Sequence, residues 1–268
     1  MWPRWRYPVG LGAKRVTVVI VRAGASDIGT QPGLASSAAL AIRETAPMMP
    51  ALSGPSRPPA SGGEPSRLVI LLHGLGADGN DLIGLAPYWA RLLPTAEFLS
   101  PNAPFSCDMA PYGYQWYSSQ DRSPEASLAG VRAAAPILDA FIDEALAKRG
   151  LDDRDLALVG FSQGTVMSLY VGFRRDKPVA GIVGFSGRLL APELLASELR
   201  SRPNTLLVHG TEDPLVPYTA LAEAETALRA AGVPVETVTS VGIGHSIDEE
   251  GLRRGGLFLS DVLNGTKS

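Results

Sequence analysis

The chain has 268 residues, of which 45% are hydrophobic and 19% are charged, and its net charge is −3. A chain of this length and composition can bury a full hydrophobic core, which is typical of one globular domain. The small negative charge provides no case for nucleic acid as a partner. The single cysteine, Cys107, cannot form an intrachain disulfide, which favours a reducing compartment and hence the cytoplasm.

The first 66 residues differ in composition from the rest of the chain. They carry seven basic and three acidic side chains and are rich in Pro, Ala, Gly and Ser. Their one apolar run, residues 16–21, is too short to span a membrane, so we expect no stable membrane insertion. We expect residues 1–65 to be disordered, or to reflect a start of translation that really lies at Met48 or Met49. An Arg-rich organelle transit peptide is the alternative.

Residues 66–268 form the predicted folded domain, in which apolar runs alternate with amphipathic stretches. The predicted strands are 67–72, 96–100, 155–161, 179–186, 204–209 and 235–241. The predicted helices are 80–93, 125–149, 163–175, 192–201, 217–231 and 248–263, with a kink or break at Pro136. This alternation predicts an α/β fold, with a mostly parallel central sheet covered by helices on both faces.

One strand-to-helix junction carries a Gly-x-Ser-x-Gly pentapeptide, residues 160–164. In a nucleophile elbow the serine lies on a strained turn between a strand and a helix, and the glycines relieve the crowding between those two elements. The pattern also arises by chance in Gly-rich chains, but here an apolar strand precedes it and a helical stretch follows it. We therefore predict that Ser162 is a nucleophile.

A serine hydroxyl needs a general base, and the chain has three histidines. His73 and His209 each end a strand-like run, where a histidine can orient loops without doing chemistry. His245 lies in the loop after the last predicted strand. Only His245 follows Ser162 in the order serine, acid, histidine that α/β-hydrolases use, so we predict that it is the base.

The acid is expected between Ser162 and His245, just past the end of a strand. Two neighbouring carboxylates, Glu212 and Asp213, meet this condition. Asp213 is preferred because Pro214 restricts the turn behind it, and Glu212 stays open as the alternative.

Acyl transfer also needs two amide donors for the oxyanion that forms when the serine attacks a carbonyl. The backbone N–H of Gln163, directly after the nucleophile, is one. The other is expected in the Gly-rich loop 73–79 after the first strand, where we predict the Leu75 N–H.

Six ordered motifs together resemble the phospholipase/carboxylesterase family of α/β-hydrolases, which includes acyl-protein thioesterases and bacterial carboxylesterases. The motifs are residues 73–79, 100–104, 115–117, 160–164, 210–217 and 244–247, and the likeness spans about residues 66–263. The resemblance implies an α/β-hydrolase fold, a Ser162, Asp213 and His245 triad, and an oxyanion hole at Leu75 and Gln163. Thr165 departs from the pattern, since many members have a second glycine there.

Loop 101–124 is long and rich in aromatic residues, which is typical of a functional loop. We interpret it as one wall of an acyl pocket, supported by the family resemblance, with Met109 and Trp116 contacting substrate and Leu215 on the opposite turn. Packing of the aromatics onto the domain is the alternative. The short connection 187–191 leaves no room for a cap domain.

The sequence therefore predicts a serine carboxylic-ester hydrolase. Its expected substrates are short or medium acyl esters or thioesters, with lysophospholipids as a further class, and it works through an acyl-enzyme. This chemistry needs no metal or organic cofactor. The alternative is a non-catalytic α/β-hydrolase fold used as a binding module.

Overall fold

The computed structural model of the protein describes residues 50–265, so the predictions for residues 1–49 lie outside the described part. Strands appear in chain order as β1 Ser56–Arg57, β2 Arg67–Leu72, β3 Ala96–Leu99, β4 Phe105–Ser106, β5 Tyr114–Gln115, β6 Leu156–Phe161, β7 Gly181–Phe185, β8 Asn204–Gly210 and β9 Val235–Ser240. Seven form one sheet in the order β1-β3-β2-β6-β7-β8-β9, and β4 pairs with β5 in a small separate sheet. All neighbours in the main sheet are parallel except β1 and β3.

The alternation of side chains along β2 shows why the sheet is covered on both faces. Leu68, Ile70 and Leu72 join one buried cluster, which includes side chains of the helices that we label α3, α4 and α6 below. Val69 and Leu71 join the other cluster, with side chains of α1, α2 and α7. Both faces of a parallel strand are therefore apolar, as expected for an α/β sheet. The predicted α/β architecture, a mostly parallel sheet covered by helices on both faces, is confirmed.

The helices differ from prediction mainly where proline or a short connection interrupts them. They are α1 Gly79–Leu82, α2 Ala86–Trp89, α3 Pro124–Ala147, α4 Gln163–Gly172, α5 Leu195–Glu198, α6 Thr219–Ala230 and α7 Glu249–Leu263. The predicted helix 80–93 is thus split into two short helices joined by a 3₁₀ turn at Ile83–Leu85. Pro87 lies in the first turn of α2, where its missing N–H costs little.

The break predicted at Pro136 does not occur, since α3 continues through it as one helix. Pro136 has no N–H to donate to the carbonyl of Arg132, four residues earlier. Both residues are exposed, so water can solvate that carbonyl. Val131 and Leu138 on the opposite face are fully buried in the core. Packing on both sides of the proline therefore holds the helix together.

Residues 50–65, which the predicted boundary at 66 left outside the domain, pack onto the edge of the sheet. β1 pairs antiparallel with β3. The Ser100 amide donates to Pro55 O at 3.0 Å, and the Asn102 amide donates to Ser53 O at 2.9 Å. The polar composition of this segment indicated disorder, but its backbone groups pair with those of the edge strand, and composition does not report such pairing.

A truncated chain that begins at Met49 is expected to fold and to keep its activity, because it retains β1. One that begins at Ser66 leaves the amide of the buried Ser100 without its acceptor, and we expect it to lose roughly 2–4 kcal/mol of unfolding free energy. Urea denaturation of the two truncated proteins checks this. Equal stability of both would show that β1 contributes nothing.

Only residues 186–191 connect β7 to the 3₁₀ turn that precedes α5. A connection of this length cannot form a cap over the carboxyl edge of the sheet, which agrees with the prediction that there is no room for a cap domain here. Within residues 50–265, none of the helices is both long enough and apolar enough to cross a bilayer.

Candidate active site

Ser162 lies at the turn between β6 and α4 with φ 54° and ψ −114°, a strained conformation for a residue with a side chain. The turn is tight. A Cβ added at Gly164 would overlap the carbonyl oxygen of Leu72, and one added at Gly160 would overlap the backbone of Gly164. Both glycines are thus required for the close approach of β2, β6 and α4. The Ser162 amide donates to Phe185 O at 2.9 Å, which ties the turn to the end of β7.

The carboxylate of Asp213 and the imidazole of His245 are hydrogen-bonded, with 2.7 Å between Oδ2 and Nδ1. The Asp213 side chain is fully buried, and its Oδ1 accepts the amides of Leu215 and Val216 at 2.9 Å each. Burial by itself would raise the pKa of Asp213. The two amides and the His245 imidazole outweigh it and hold that pKa below its usual value. Asp213 is therefore a carboxylate at neutral pH.

The sequence analysis left Glu212 and Asp213 as alternatives for the acid, and the structure brings Asp213 to His245. Glu212 is exposed, and its backbone N–H donates to Ile243 O at 3.0 Å. This backbone bond joins the loop after β8 to the loop after β9. It places Glu212, directly before Asp213, beside Ile243, two residues before His245.

His245 lies against the elbow, since its ring centroid is 4.9 Å from that of Phe161, the residue before the serine. Ser162 Oγ forms no hydrogen bond with His245 Nε2. Hydrogen bonds between a nucleophile and its base commonly tighten in the complex with substrate.

The two amides predicted for the oxyanion hole both lack an acceptor. Among the described residues, the N–H groups of Leu75 and Gln163 donate to no protein group. Gly74 lies directly beside the serine, because a Cβ added to it would be 3.3 Å from Ser162 Cβ. Backbone N–H groups in protein interiors are nearly always paired, so two free ones next to a serine suit an anionic ligand.

His73 holds the loop that carries the Leu75 amide. It is fully buried, and burial lowers its pKa, so the ring is neutral. Its Nε2 accepts the Ala103 amide at 3.0 Å, which puts the proton on Nδ1, 2.7 Å from Gly74 O. The loop-orienting role considered for His73 in the sequence analysis agrees with these contacts.

The three residues predicted to line the substrate pocket fall into two groups. Met109 and Leu215 are 51% and 57% exposed, on the loops after β3 and β8. Trp116 is fully buried, and its indole N–H donates to His73 O at 3.0 Å. Direct contact of Trp116 with substrate is therefore corrected to packing, because a ring without any accessible surface cannot touch a ligand in this arrangement.

The side chain of Gln163, the residue after the serine, has a structural role that the sequence analysis did not predict. The Gln163 side chain accepts the Trp116 amide at 3.1 Å and donates to Tyr117 O and Ser119 Oγ at 2.9 and 3.0 Å. It therefore anchors loop 101–124 to the first turn of α4. The sequence offered no signal for this, because only the amide of Gln163 has a motif-defined role.

Thr165, which replaces the second glycine typical of the family pattern, contacts the same region. Its Oγ1 lies 2.9 Å from both Gly160 O and Phe185 O. A Cβ at Gly187 would overlap the Thr165 side chain, so this glycine leaves room for the larger residue. Thr165 therefore adds a side-chain hydrogen bond beneath the elbow that a glycine could not make.

The profile of the phospholipase/carboxylesterase family matches residues 59–263. The chain belongs to this family. The phospholipase/carboxylesterase match therefore spans every strand of the main sheet except β1, and every residue of the site described above.

Two relatives and one solved structure agree with that membership. Acyl-protein thioesterase 1 of Schizosaccharomyces pombe is 36% identical over 159 residues, which are 56% of this chain and 69% of that protein. Esterase YpfH of Escherichia coli is 28% identical over 188 residues, 70% of this chain and 79% of that protein. The crystal structure of esterase PE8 has a TM-score of 0.77 at 42% identity and covers 80% of this chain and 100% of that chain. As a phospholipase/carboxylesterase member, the chain is an enzyme of the esterase and thioesterase type.

Proposed function

We propose that the protein hydrolyses short or medium acyl esters or thioesters, including lysophospholipids, through an acyl-enzyme on Ser162. The observation that carries the proposal is the buried Asp213–His245 pair beside a strained serine, with the unpaired amides of Leu75 and Gln163 next to it. These are the parts that acyl transfer requires.

In the first half-reaction His245 Nε2 takes the Ser162 proton as Oγ attacks the substrate carbonyl carbon. The carbonyl oxygen becomes an oxyanion that accepts the Leu75 and Gln163 amides. The bond to the leaving oxygen or sulfur then breaks, and His245 donates its proton to that atom. Water repeats the sequence on the acyl-enzyme and releases the carboxylic acid. Asp213 keeps the proton of His245 on Nδ1 and stabilises the imidazolium.

Exposed apolar side chains around the site support acyl substrates. Among the described residues, six of the nine exposed large apolar side chains lie in the segments that follow β3, β8 and β9 of the main sheet, the first of which includes β4 and β5. These segments leave the carboxyl edge that carries Ser162. The six side chains are Phe105, Met109, Tyr112, Leu215, Tyr218 and Val241. Exposed apolar side chains concentrated at one edge suit the binding of an acyl chain better than that of a charged substrate.

Labelling with a fluorophosphonate probe tests the class of enzyme, because only an activated serine reacts with it. We expect one labelled serine, Ser162, by peptide mass spectrometry. A panel of acyl esters and matched thioesters of graded chain length then separates the substrate classes. An unlabelled, folded protein would favour the non-catalytic binding module.

Activity is expected to fall as the pH drops from about 8 to 5, because the general base must enter the reaction as a neutral imidazole. A protonated imidazole cannot accept the serine proton. The lowered pKa of Asp213 keeps that carboxylate charged throughout this range, so the loss is assigned to His245. Initial rates between pH 5 and 8 check this, and a flat profile with chemistry rate-limiting would exclude His245 as the base.

Rates are expected to rise smoothly with substrate concentration below micelle formation, because the 186–191 connection cannot form a lid. Kinetics with a medium-chain ester on both sides of its critical micelle concentration check this. A jump in rate only once substrate aggregates would indicate a mobile cover.

The cytoplasmic location and the absence of a nucleic-acid partner stay predictions from composition.

A further inference from the structure

A second histidine contacts the carboxylate of the proposed acid. His209, on β8, is 2% exposed. Its Nε2 lies 3.0 Å from Val216 O and 3.3 Å from Asp213 Oδ2. The sequence analysis assigned no chemistry to this residue.

The partners of His209 determine where its proton lies. A backbone carbonyl such as that of Val216 can only accept, so His209 Nε2 must carry the hydrogen. The same N–H is within reach of Asp213 Oδ2. His209 therefore donates to Val216 O and also lies close to Asp213 Oδ2, so it contacts both ends of the 213–216 turn.

With His209 included, each oxygen of Asp213 faces two N–H donors. Oδ1 accepts the amides of Leu215 and Val216, and Oδ2 accepts Nδ1–H of His245 at 2.7 Å. His209 Nε2 lies 3.3 Å from Oδ2, while its hydrogen bond goes to Val216 O. A fully buried carboxylate depends on such donors for its charge and its orientation. Without His209, nothing but His245 would remain on Oδ2 among the described contacts.

We propose that His209 is a positioning residue that acts on His245 through Asp213. Its hydrogen bond to Val216 O braces the 213–216 turn, and the same N–H places a partial positive charge close to Oδ2, with Nε2 3.3 Å from that oxygen. The kinetic part rests on the proposed function, whereas the contact itself does not. The other groups that face His209 are Tyr218, whose ring centroid is 6.2 Å away, and Arg188, which lines the same small cavity.

The test combines proton NMR titration with kinetics, and three histidines in the chain make the imidazole signals simple to assign. His209→Phe keeps an aromatic ring beside Tyr218 but removes the N–H, and His209→Gln restores an N–H donor near the same place. Thr205→Val is the matched control, because it removes another buried hydrogen bond, to Pro203 O at 3.1 Å, from the far end of the same strand.

We expect His209→Phe to raise the midpoint of the His245 titration by about half a pH unit, because Asp213 loses the partial positive charge that His209 places close to it. The acid limb of kcat/KM should move with it. The value of kcat should fall about 10- to 100-fold with KM nearly unchanged, since the turn that orients Asp213, and through it the base, loses its brace. His209→Gln should recover most of both, and Thr205→Val should change neither.

An unchanged His245 midpoint in folded His209→Phe would overturn the proposal, as would a glutamine variant as impaired as the phenylalanine one. If the phenylalanine ring does not fit, His209→Leu removes the same N–H with less bulk and is judged by the same two outcomes. The NMR midpoint is independent of turnover. Failure of the proposed function, seen as an active Ser162→Ala variant, is therefore distinguishable from failure of this inference.

Discussion

Ser162→Ala is expected to lower kcat by a factor of about 10⁴ or more while the protein stays folded. Alanine removes the only atom that forms the acyl bond, whereas the turn around it is held by backbone contacts such as that of the Ser162 amide with Phe185 O. Alanine also tolerates the positive φ no worse than serine does. Ester and thioester turnover, measured together with thermal melting, checks this expectation.

Ser186→Ala is the matched control, because Ser186 also ends a strand and also has a positive φ, of 45°. Its side chain is buried, and the nearest acceptor of its Oγ, Ser246 O, is 3.5 Å away, so it makes only a weak contact. We expect a much smaller loss than at Ser162. Comparable losses at the two serines would contradict the assignment of the nucleophile.

Asp213→Asn is expected to lower kcat by about 10³- to 10⁴-fold. Two amides, those of Leu215 and Val216, converge on Oδ1, so the asparagine carbonyl must take that place and its NH₂ must face His245. An NH₂ group cannot accept from Nδ1–H, which drives the imidazole to the tautomer with its proton on Nε2. That nitrogen can then no longer take the serine proton.

Glu212→Gln, one residue earlier, is the control for this prediction. The Glu212 side chain is exposed, and its part in the site is the backbone bond to Ile243 O, which the substitution keeps. Its activity should stay within a few-fold of the wild type. The opposite ranking of kcat/KM in the two variants would move the acid to Glu212.

The sequence by itself determined those features that depend on neighbours along the chain. The strand, Gly160-x-Ser162-x-Gly164 and helix lie within one continuous segment, so the elbow and the Gln163 amide follow from local sterics. The continuous apolar run of β2 similarly determines a strand buried on both faces. The order of six motifs along the chain was sufficient for the family.

Only the tertiary structure decided the contacts between segments far apart in sequence. Glu212 and Asp213 are adjacent carboxylates with similar local context, and only the approach of the β9 loop brings His245 to Asp213. Trp116 was expected at the pocket, yet its place is set by His73, 43 residues away. His209 became more than a strand-end residue because the 213–216 turn folds back over it. Such choices depend on which backbone carbonyls and N–H groups meet in space, and side-chain periodicity carries no record of that.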